Sequence, residues 1–327
     1  MHYDILPFLD AAGWSGAERE VLAGDGSGRT YERLKLNNKC AVLMISPNES
    51  TKSFICIANY LNELGYSVPS IYANDSSGNL LLLEDFGNKR LLEIVEDSET
   101  NNHQIIYETA IDLLVDLGYQ LPPAELGTMD NKYLEAEIGL FIEWGPLSTG
   151  GRREISQLLE SWIKMWGTVY KNAPIIPCSL SLRDFHSGNL MWLPDRDKIR
   201  KLGLLDFQDA IVAPISYDLV SLLQDVRLEL TVNFQKEMIS RFLNRSVNLN
   251  KRDFLASYAI LGAHRNLRIV AVFMRLAIMS GKTDYLKFLP RVWKLIDINL
   301  EHPALKPVKT WLDNNLLRER RIVIWHE

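Results

Sequence analysis

Residues 182–208 constrain this chain more tightly than any other stretch. They read Leu182-Arg183-Asp184-Phe185-His186-Ser187-Gly188-Asn189, an apolar run from Leu190, a turn at Pro194-Asp195, and a second apolar run ending in Leu204-Leu205-Asp206-Phe207-Gln208. Short apolar runs bounded by turn residues are the pattern of a β-hairpin. Its flanking loops carry Asp184 and Asn189 before the first strand and Asp206 after the second. Two carboxylates and a carboxamide so placed can hold a divalent metal on a polyphosphate and accept a proton from an attacking hydroxyl. An Asx-rich turn would account for Asp184 and Asn189 alone. It would not account for loop, strand, turn, strand and Asp-Phe-Gln in that order.

The first third has a glycine-rich run, Gly24-Asp25-Gly26-Ser27-Gly28-Arg29, where backbone N–H groups can approach an anion closely. A dinucleotide-binding turn would open a helix. Here residues 30–36 read as a strand, Asn37-Asn38-Lys39 as a turn, and residues 40–45 as a second, buried strand. Glycine loop, strand, turn and strand match the small lobe of a kinase, although an ordinary glycine-rich hairpin fits the same residues. A kinase small lobe carries a lysine on its third strand to pair with phosphates. That position holds Met44, which leaves Arg29 or Arg33 to supply the charge.

Residues 51–64 carry a helical stripe of Phe54, Ile55, Ala58, Leu61 and Leu64, stopped by Gly65. The apolar strand 80–83 runs into Glu84-Asp85-Phe86-Gly87, where a hinge would hold adenine through backbone groups; a strand followed by a plain turn is the alternative. Beyond it the pattern is helical, with helices expected over 91–120, 132–144 and 155–170 and two long ones over 251–298, the second opening near Pro290. The fold class expected is α+β, a protein kinase-like two-lobe fold with a small antiparallel sheet and a mainly helical remainder. The division expected is 1–87 for the nucleotide-binding lobe and 88–327 for the catalytic and substrate lobe.

Composition excludes some classes and fits others. Hydrophobic residues make up 47% and charged residues 24%, with a formal net charge of −5, so a general nucleic-acid binder is not expected. His264, Arg265, Arg268 and Arg275 interrupt the most apolar long segment, so no membrane span is expected there. Cys40, Cys56 and Cys178 have apolar neighbours and no metal-ligand spacing, which suggests free core thiols in a reducing, cytoplasmic compartment. The reading is an ATP-dependent, Mg2+-requiring kinase of small molecules. Asp184 is the base, and Asn189 and Asp206 are the metal ligands. Gly24, Gly26, Ser27, Gly28, Arg29, Arg33, Glu84 and Phe86 are the nucleotide-binding candidates.

The runs Arg183-Asp184-Phe185-His186-Ser187-Gly188-Asn189-Leu190, Leu205-Asp206-Phe207-Gln208-Asp209 and Tyr217-Asp218-Leu219-Val220-Ser221-Leu222-Leu223 resemble the aminoglycoside phosphotransferase/choline kinase superfamily. Phe141-Ile142-Glu143-Trp144, Gly262-Ala263-His264-Arg265-Asn266-Leu267-Arg268 and Leu289-Pro290-Arg291 are similar to a subgroup within it. That subgroup comprises bacterial cell-wall sugar kinases, which phosphorylate the anomeric hydroxyl of N-acetylmuramate and N-acetylglucosamine. The resemblance covers nearly the whole chain. It implies the same roles for Asp184, Asn189 and Asp206, and makes residues 24–29 the phosphate-covering loop.

By the same resemblance Asp218 is a buried brace at a helix start. His186 is expected to brace the catalytic loop, with a second acid–base role as the alternative. Glu137, Trp144, Asp209 and Arg265 are the substrate candidates. Arg265, Arg268 and Arg275 are otherwise expected to pair with Asp209, Asp218 or Glu137, while Arg265 could instead meet a substrate carboxylate. Two departures stand out: Leu182 replaces a histidine common in relatives, and Met44 replaces the strand lysine. The subgroup shares the second. A kinase of an aminoglycoside, a choline-like amine or another metabolite, and a nucleotide-binding pseudokinase, are the competing functions.

Overall fold

A computed structural model describes residues 5–22, 28–46, 51–75, 78–96, 103–148 and 152–316. Close packing groups Met1–Ala110 with Ser187–Ala210, and Ile111–His186 with Ile211–Glu327. The first unit opens with helix α1 (Ile5–Ala11) and carries a five-stranded antiparallel sheet. Its strands are β1 (Glu18–Leu22), β2 (Thr30–Leu36), β3 (Lys39–Ile45), β4 (Ile71–Asn74) and β5 (Leu80–Glu84), in the order β1-β2-β3-β5-β4. Helix α2 (Lys52–Glu63) separates β3 from β4, and α3 (Leu91–Glu96) follows β5. The β2–β3 turn is at Asn37, whose φ of 53° an asparagine tolerates.

Alternation explains the sheet. Leu34, Ala41, Leu43, Ile45, Leu80 and Leu82 are buried in one cluster with Leu9 of α1, as a period of two requires. Helix α2 buries Phe54, Ile57, Ala58 and Leu61, the i, i+3, i+4, i+7 stripe. Ile55 is half-buried and Leu64 exposed, so the stripe includes Ile57 in their place. Gly65 ends the helix with φ +84°.

The second unit is helical. The grouping boundary falls inside α4 (His103–Leu117), after which come α5 (Asn131–Trp144), α6 (Arg152–Lys171) and strand β6 (Cys178–Ser181). Next come β7 (Leu190–Trp192) and β8 (Leu202–Leu204), an antiparallel hairpin of the first unit with Leu190 opposite Leu204. Strand β9 (Ile211–Pro214) then pairs with β6, followed by α7 (Ser216–Leu223), α8 (Val232–Arg245), α9 (Lys251–Ser280), α10 (Leu289–Leu300) and α11 (Lys306–Asn315). The expected break between the last long helices is present, with Gly281 at φ +65° and Pro290 in the first turn of α10. Phe141, Trp162, Trp166, Leu267, Val270, Val292 and Ile296 lie in the helical core.

Two expectations fail and one boundary differs. Cys40, Cys56 and Cys178 are free but exposed, because they lie next to a turn, on the outer side of α2 and at the first position of β6. Arg275 is exposed rather than set in an apolar stripe. The expected division at residue 87 follows chain order, whereas packing returns 187–210 to the first unit. There Gly203 bridges to Ser67 and Met191 to Arg90. Among the described residues, no helix is long and apolar enough to cross a membrane.

Candidate active site

The loop that carries Asp184 is built in the second unit. Strand β6 delivers it, with Ser181 opposite Ile211 of β9. Asp218, buried in the first turn of α7, accepts hydrogen bonds from Ser181 Oγ at 2.7 Å, Leu182 N at 2.7 Å and Arg183 N at 3.0 Å. Leu182 itself is buried, and what it gives the brace is its backbone N–H. Arg183 has φ +65°, a left-handed conformation that costs a residue with a Cβ about 1–2 kcal/mol. The bonds to its N–H hold it there. Turn contacts from Asp184 N to Leu182 O (2.8 Å) and from His186 N to Asp184 O (3.0 Å) complete a compact loop.

The electrostatics suit a base. Burial opposes ionisation of Asp184, but the combined positive charge of His186, Arg265, Arg268 and Arg183 prevails and holds its carboxyl below the usual range. Burial also pushes His186 down to about 4, so near neutral pH the three arginines are the part of that field that persists. Burial pushes Asp218 up to about 6 against its three hydrogen bonds.

Glu137 lies on α5 beside this loop. Its Oε1 is 3.2 Å from Arg183 Nη2 and 3.0 Å from Arg268 Nε of α9, and the Arg183 guanidinium stands 5.7 Å over the Tyr133 ring. Arg268 therefore has the carboxylate expected for it. Arg265 instead donates to Ser221 Oγ at 2.9 Å and is buried. Glu137 Oε2 and Tyr133 Oη are buried without hydrogen-bond partners. Trp144 is half-buried at the end of α5.

The first unit carries the other candidates. Asn189 closes a short 3-10 turn and accepts from Leu205 N at 3.0 Å, which joins the two ends of the β7–β8 hairpin. Asn189 Nδ2 lies 3.5 Å from Asp206 Oδ2, and Asp206 adopts φ +55°. Gln208 Nε2 reaches Asp206 Oδ1 at 2.8 Å and Asp209 Oδ2 at 3.2 Å, while Gln208 Oε1 is buried without a partner. Arg29 Nη1 is 3.4 Å from Asp206 Oδ1. A carboxylate, a carboxamide and an orphaned amide oxygen are hard donors that fit Mg2+, which binds through few protein groups. Among the described residues no cluster of three His, Cys, Asp or Glu competes for a metal.

The nucleotide candidates separate. Arg33 is taken up by Asp85, with Nε–Oδ2 at 2.6 Å and Nη2–Oδ1 at 3.0 Å, and also donates to Gly87 O. This pairing engages the guanidinium expected, as an alternative to Arg29, to stand in for the strand lysine. Arg29 lies beside Asp206. Glu84 accepts from Ser70 and from Arg196, and Phe86 packs under Arg196 and on Gly203, where any Cβ would come within 2.8 Å of the ring. Gly28 is exposed; Gly24, Gly26 and Ser27 lie outside the described residues. Gln208 and Asp85 stand outside the residue set expected from sequence. The signal for Asp85 is register: Arg33 aligns with Val42, Val42 with Leu83, and Asp85 follows two residues later on the same face.

The model of the phosphotransferase enzyme family (APH) matches residues 18–255. A curated N-acetylmuramate/N-acetylglucosamine kinase of Caulobacter vibrioides is 30% identical, with 96% of each chain covered. One of Pseudomonas aeruginosa is 27% identical over 89% of this chain and 88% of its own. The solved structure of spectinomycin phosphotransferase in complex with ADP and spectinomycin matches with a TM-score of 0.60 at 12% identity, over 94% of this chain and 97% of that one.

Proposed function

From the premise that the chain belongs to the phosphotransferase enzyme family and transfers phosphate to an alcohol group of a small molecule, we propose that its acceptor is the anomeric hydroxyl of an amino sugar, N-acetylmuramate or N-acetylglucosamine, and its donor ATP with Mg2+. The observation that carries the chemistry is the Asp184 loop itself, held by three hydrogen bonds to buried Asp218 and set near Arg183, Arg265 and Arg268. The acceptor rests on the names of the relatives.

In this reading the Asp184 carboxylate orients the anomeric hydroxyl and takes its proton as the oxygen attacks the γ-phosphorus. The bond from that phosphorus to the β,γ-bridging oxygen breaks, and ADP leaves. Asn189 and Asp206 would hold Mg2+, which would supply charge neutralisation on the polyphosphate. The glycine-rich loop with Gly28 and Arg29 covers the phosphates, and the segment of Glu84 and Phe86 holds adenine. Glu137, Trp144, Asp209 and Arg265 face the acceptor or support those that do; His186 and Asp218 brace the loop. Residues 1–87 serve the nucleotide, and residues 88–327 carry the catalytic loop and the acceptor residues. ATP supply places the enzyme in the cytoplasm, in the recycling of cell-wall sugars.

The test is an ATP-consumption screen with Mg2+ over amino sugars, aminoglycosides and choline. Turnover is expected with the amino sugars. Turnover confined to an aminoglycoside or choline would replace the acceptor, and nucleotide binding without turnover on any acceptor would contradict catalysis.

A further inference from the structure

Residues 84–87, where strand β5 ends, are the segment to which the kinase reading assigns adenine. Each of them is anchored. Glu84 donates its N–H to Ser70 O at 2.8 Å, and its carboxylate meets Ser70 and Arg196. The Phe86 ring lies against Gly203, with the Arg196 guanidinium 5.0 Å from its centre. Gly87, at φ +79°, donates its N–H to Asp85 Oδ1 at 2.8 Å, and its carbonyl accepts from Arg33 Nη2 at 3.0 Å. Both polar groups of Gly87 are thus consumed within the protein. Among the described residues, no hydrogen bond reaches the Phe86 N–H or carbonyl.

Arg33 and Asp85 build this turn. Arg33 Nε reaches Oδ2 at 2.6 Å and Nη2 reaches Oδ1 at 3.0 Å, with the two side chains 12% and 8% exposed. The bridge passes over β3 at Val42, on the sheet face that also carries Met44. Asp85 Oδ1 receives both Arg33 and the Gly87 N–H, so one carboxylate ties the turn to itself and to β2. Two-pronged pairs of this kind fix geometry as well as charge.

We propose that Arg33 and Asp85 are positioning residues for the nucleotide base. They hold residues 85–87 so that the Phe86 backbone meets adenine, and Arg33 acts through that turn instead of on the phosphates. The proposal deepens the kinase reading above and rests on it. The Phe86 N–H and carbonyl supply one donor and one acceptor, which match a ring nitrogen of adenine and its N6 amino group. Without the pair, the turn must be ordered when nucleotide binds. That cost falls on affinity for the base and leaves the transferred phosphate untouched.

Three ligands separate this role from a phosphate contact: adenosine, ADP and the Mg2+ complex of a non-hydrolysable β,γ-imido analogue of ATP. Each is titrated calorimetrically into the full chain. Arg33→Met and Asp85→Ala should each weaken binding about tenfold, the scale of a lost charge-assisted hydrogen bond, and to the same extent for all three ligands. The double variant should bind no more weakly than Asp85→Ala, because the two side chains act as a unit. In turnover, KM for ATP should rise with kcat little changed, the mark of lost uniform binding.

A loss that grows from adenosine to the analogue would overturn the proposal by putting Arg33 on the phosphates. Losses that add in the double variant, or a lower melting temperature with wild-type affinity, would overturn it too. Each of these leaves the kinase reading intact, whereas wild type that binds none of the three ligands would overturn both. If Arg33→Met does not fold, Arg33→Lys decides, since it keeps the charge without the fork. A partial loss common to all three ligands supports the pair, and wild-type affinity overturns it.

Discussion

Asp184 sits where burial alone would make a carboxyl hard to ionise, and the positive charge of His186, Arg265, Arg268 and Arg183 together holds it below the usual range. A base held below the usual carboxylate range stays ionised as pH falls, so the acid limb of kcat/KM that reports it should lie below the ordinary aspartate value of about 4. Asp184→Asn removes the proposed proton acceptor and keeps the shape. Transfer should fall by about a hundredfold to ten-thousandfold, with nucleotide binding retained, as followed by product formation and by titration with nucleotide. Asp218→Asn acts through the loop instead. One oxygen becomes an NH2 facing donors from Ser181, Leu182 and Arg183, and an unpaired buried donor costs about 1–3 kcal/mol. A lower kcat with little change in KM for ATP, and a lower melting temperature, are the expected outcome.

At the scale of elements, α9 organises the helical unit. Gly262 faces Asn299 of α10, and a Cβ there would lie 2.6 Å from the carboxamide. That carboxamide belongs to a buried network with Gln224 and Asn266. Gly262→Ala should destabilise by about 1–3 kcal/mol through overpacking, read as a shift in the urea midpoint at constant m-value. Two residues on, His264 is enclosed by Trp166 and Tyr170 and bonded to Leu134 O, and burial pushes it down to about 4. His264 and His186 are neutral in the fold between about 4 and 6.5 but take up protons on unfolding, whereas Asp218, at about 6, releases one. Two uptakes against one release make stability fall as pH drops through that window. The melting temperature should follow, with a shallower slope in His264→Gln.

The helix end at Gly65, the helix start near Pro290 and the β2–β3 turn at Asn37-Asn38 were legible because turn and cap chemistry is local. The Arg33–Asp85 pair was not legible, because it spans three strands whose order the sequence does not state. The exposure of the three cysteines escaped for a related reason. Apolar neighbours in sequence need not share a face in space, as Cys56 between Phe54 and Ile57 shows.

At the scale of the whole molecule, the reaction class was readable because Asp184, Asn189 and Asp206 fall within one short stretch. The family match over 18–255 and the relatives of similar length agree with that class. The surroundings of Arg29 and Arg33 were not readable, since Met44 states only an absence and the partners of the two arginines depend on packing. The acceptor is likewise a property of the assembled site rather than of any motif. Its identity is tested most directly by phosphorus NMR on the product formed with Mg2+, ATP and N-acetylmuramate or N-acetylglucosamine. A phosphorus resonance coupled to the anomeric proton is predicted. Phosphate on any other oxygen, or no sugar phosphate from a nucleotide-binding enzyme, would contradict it.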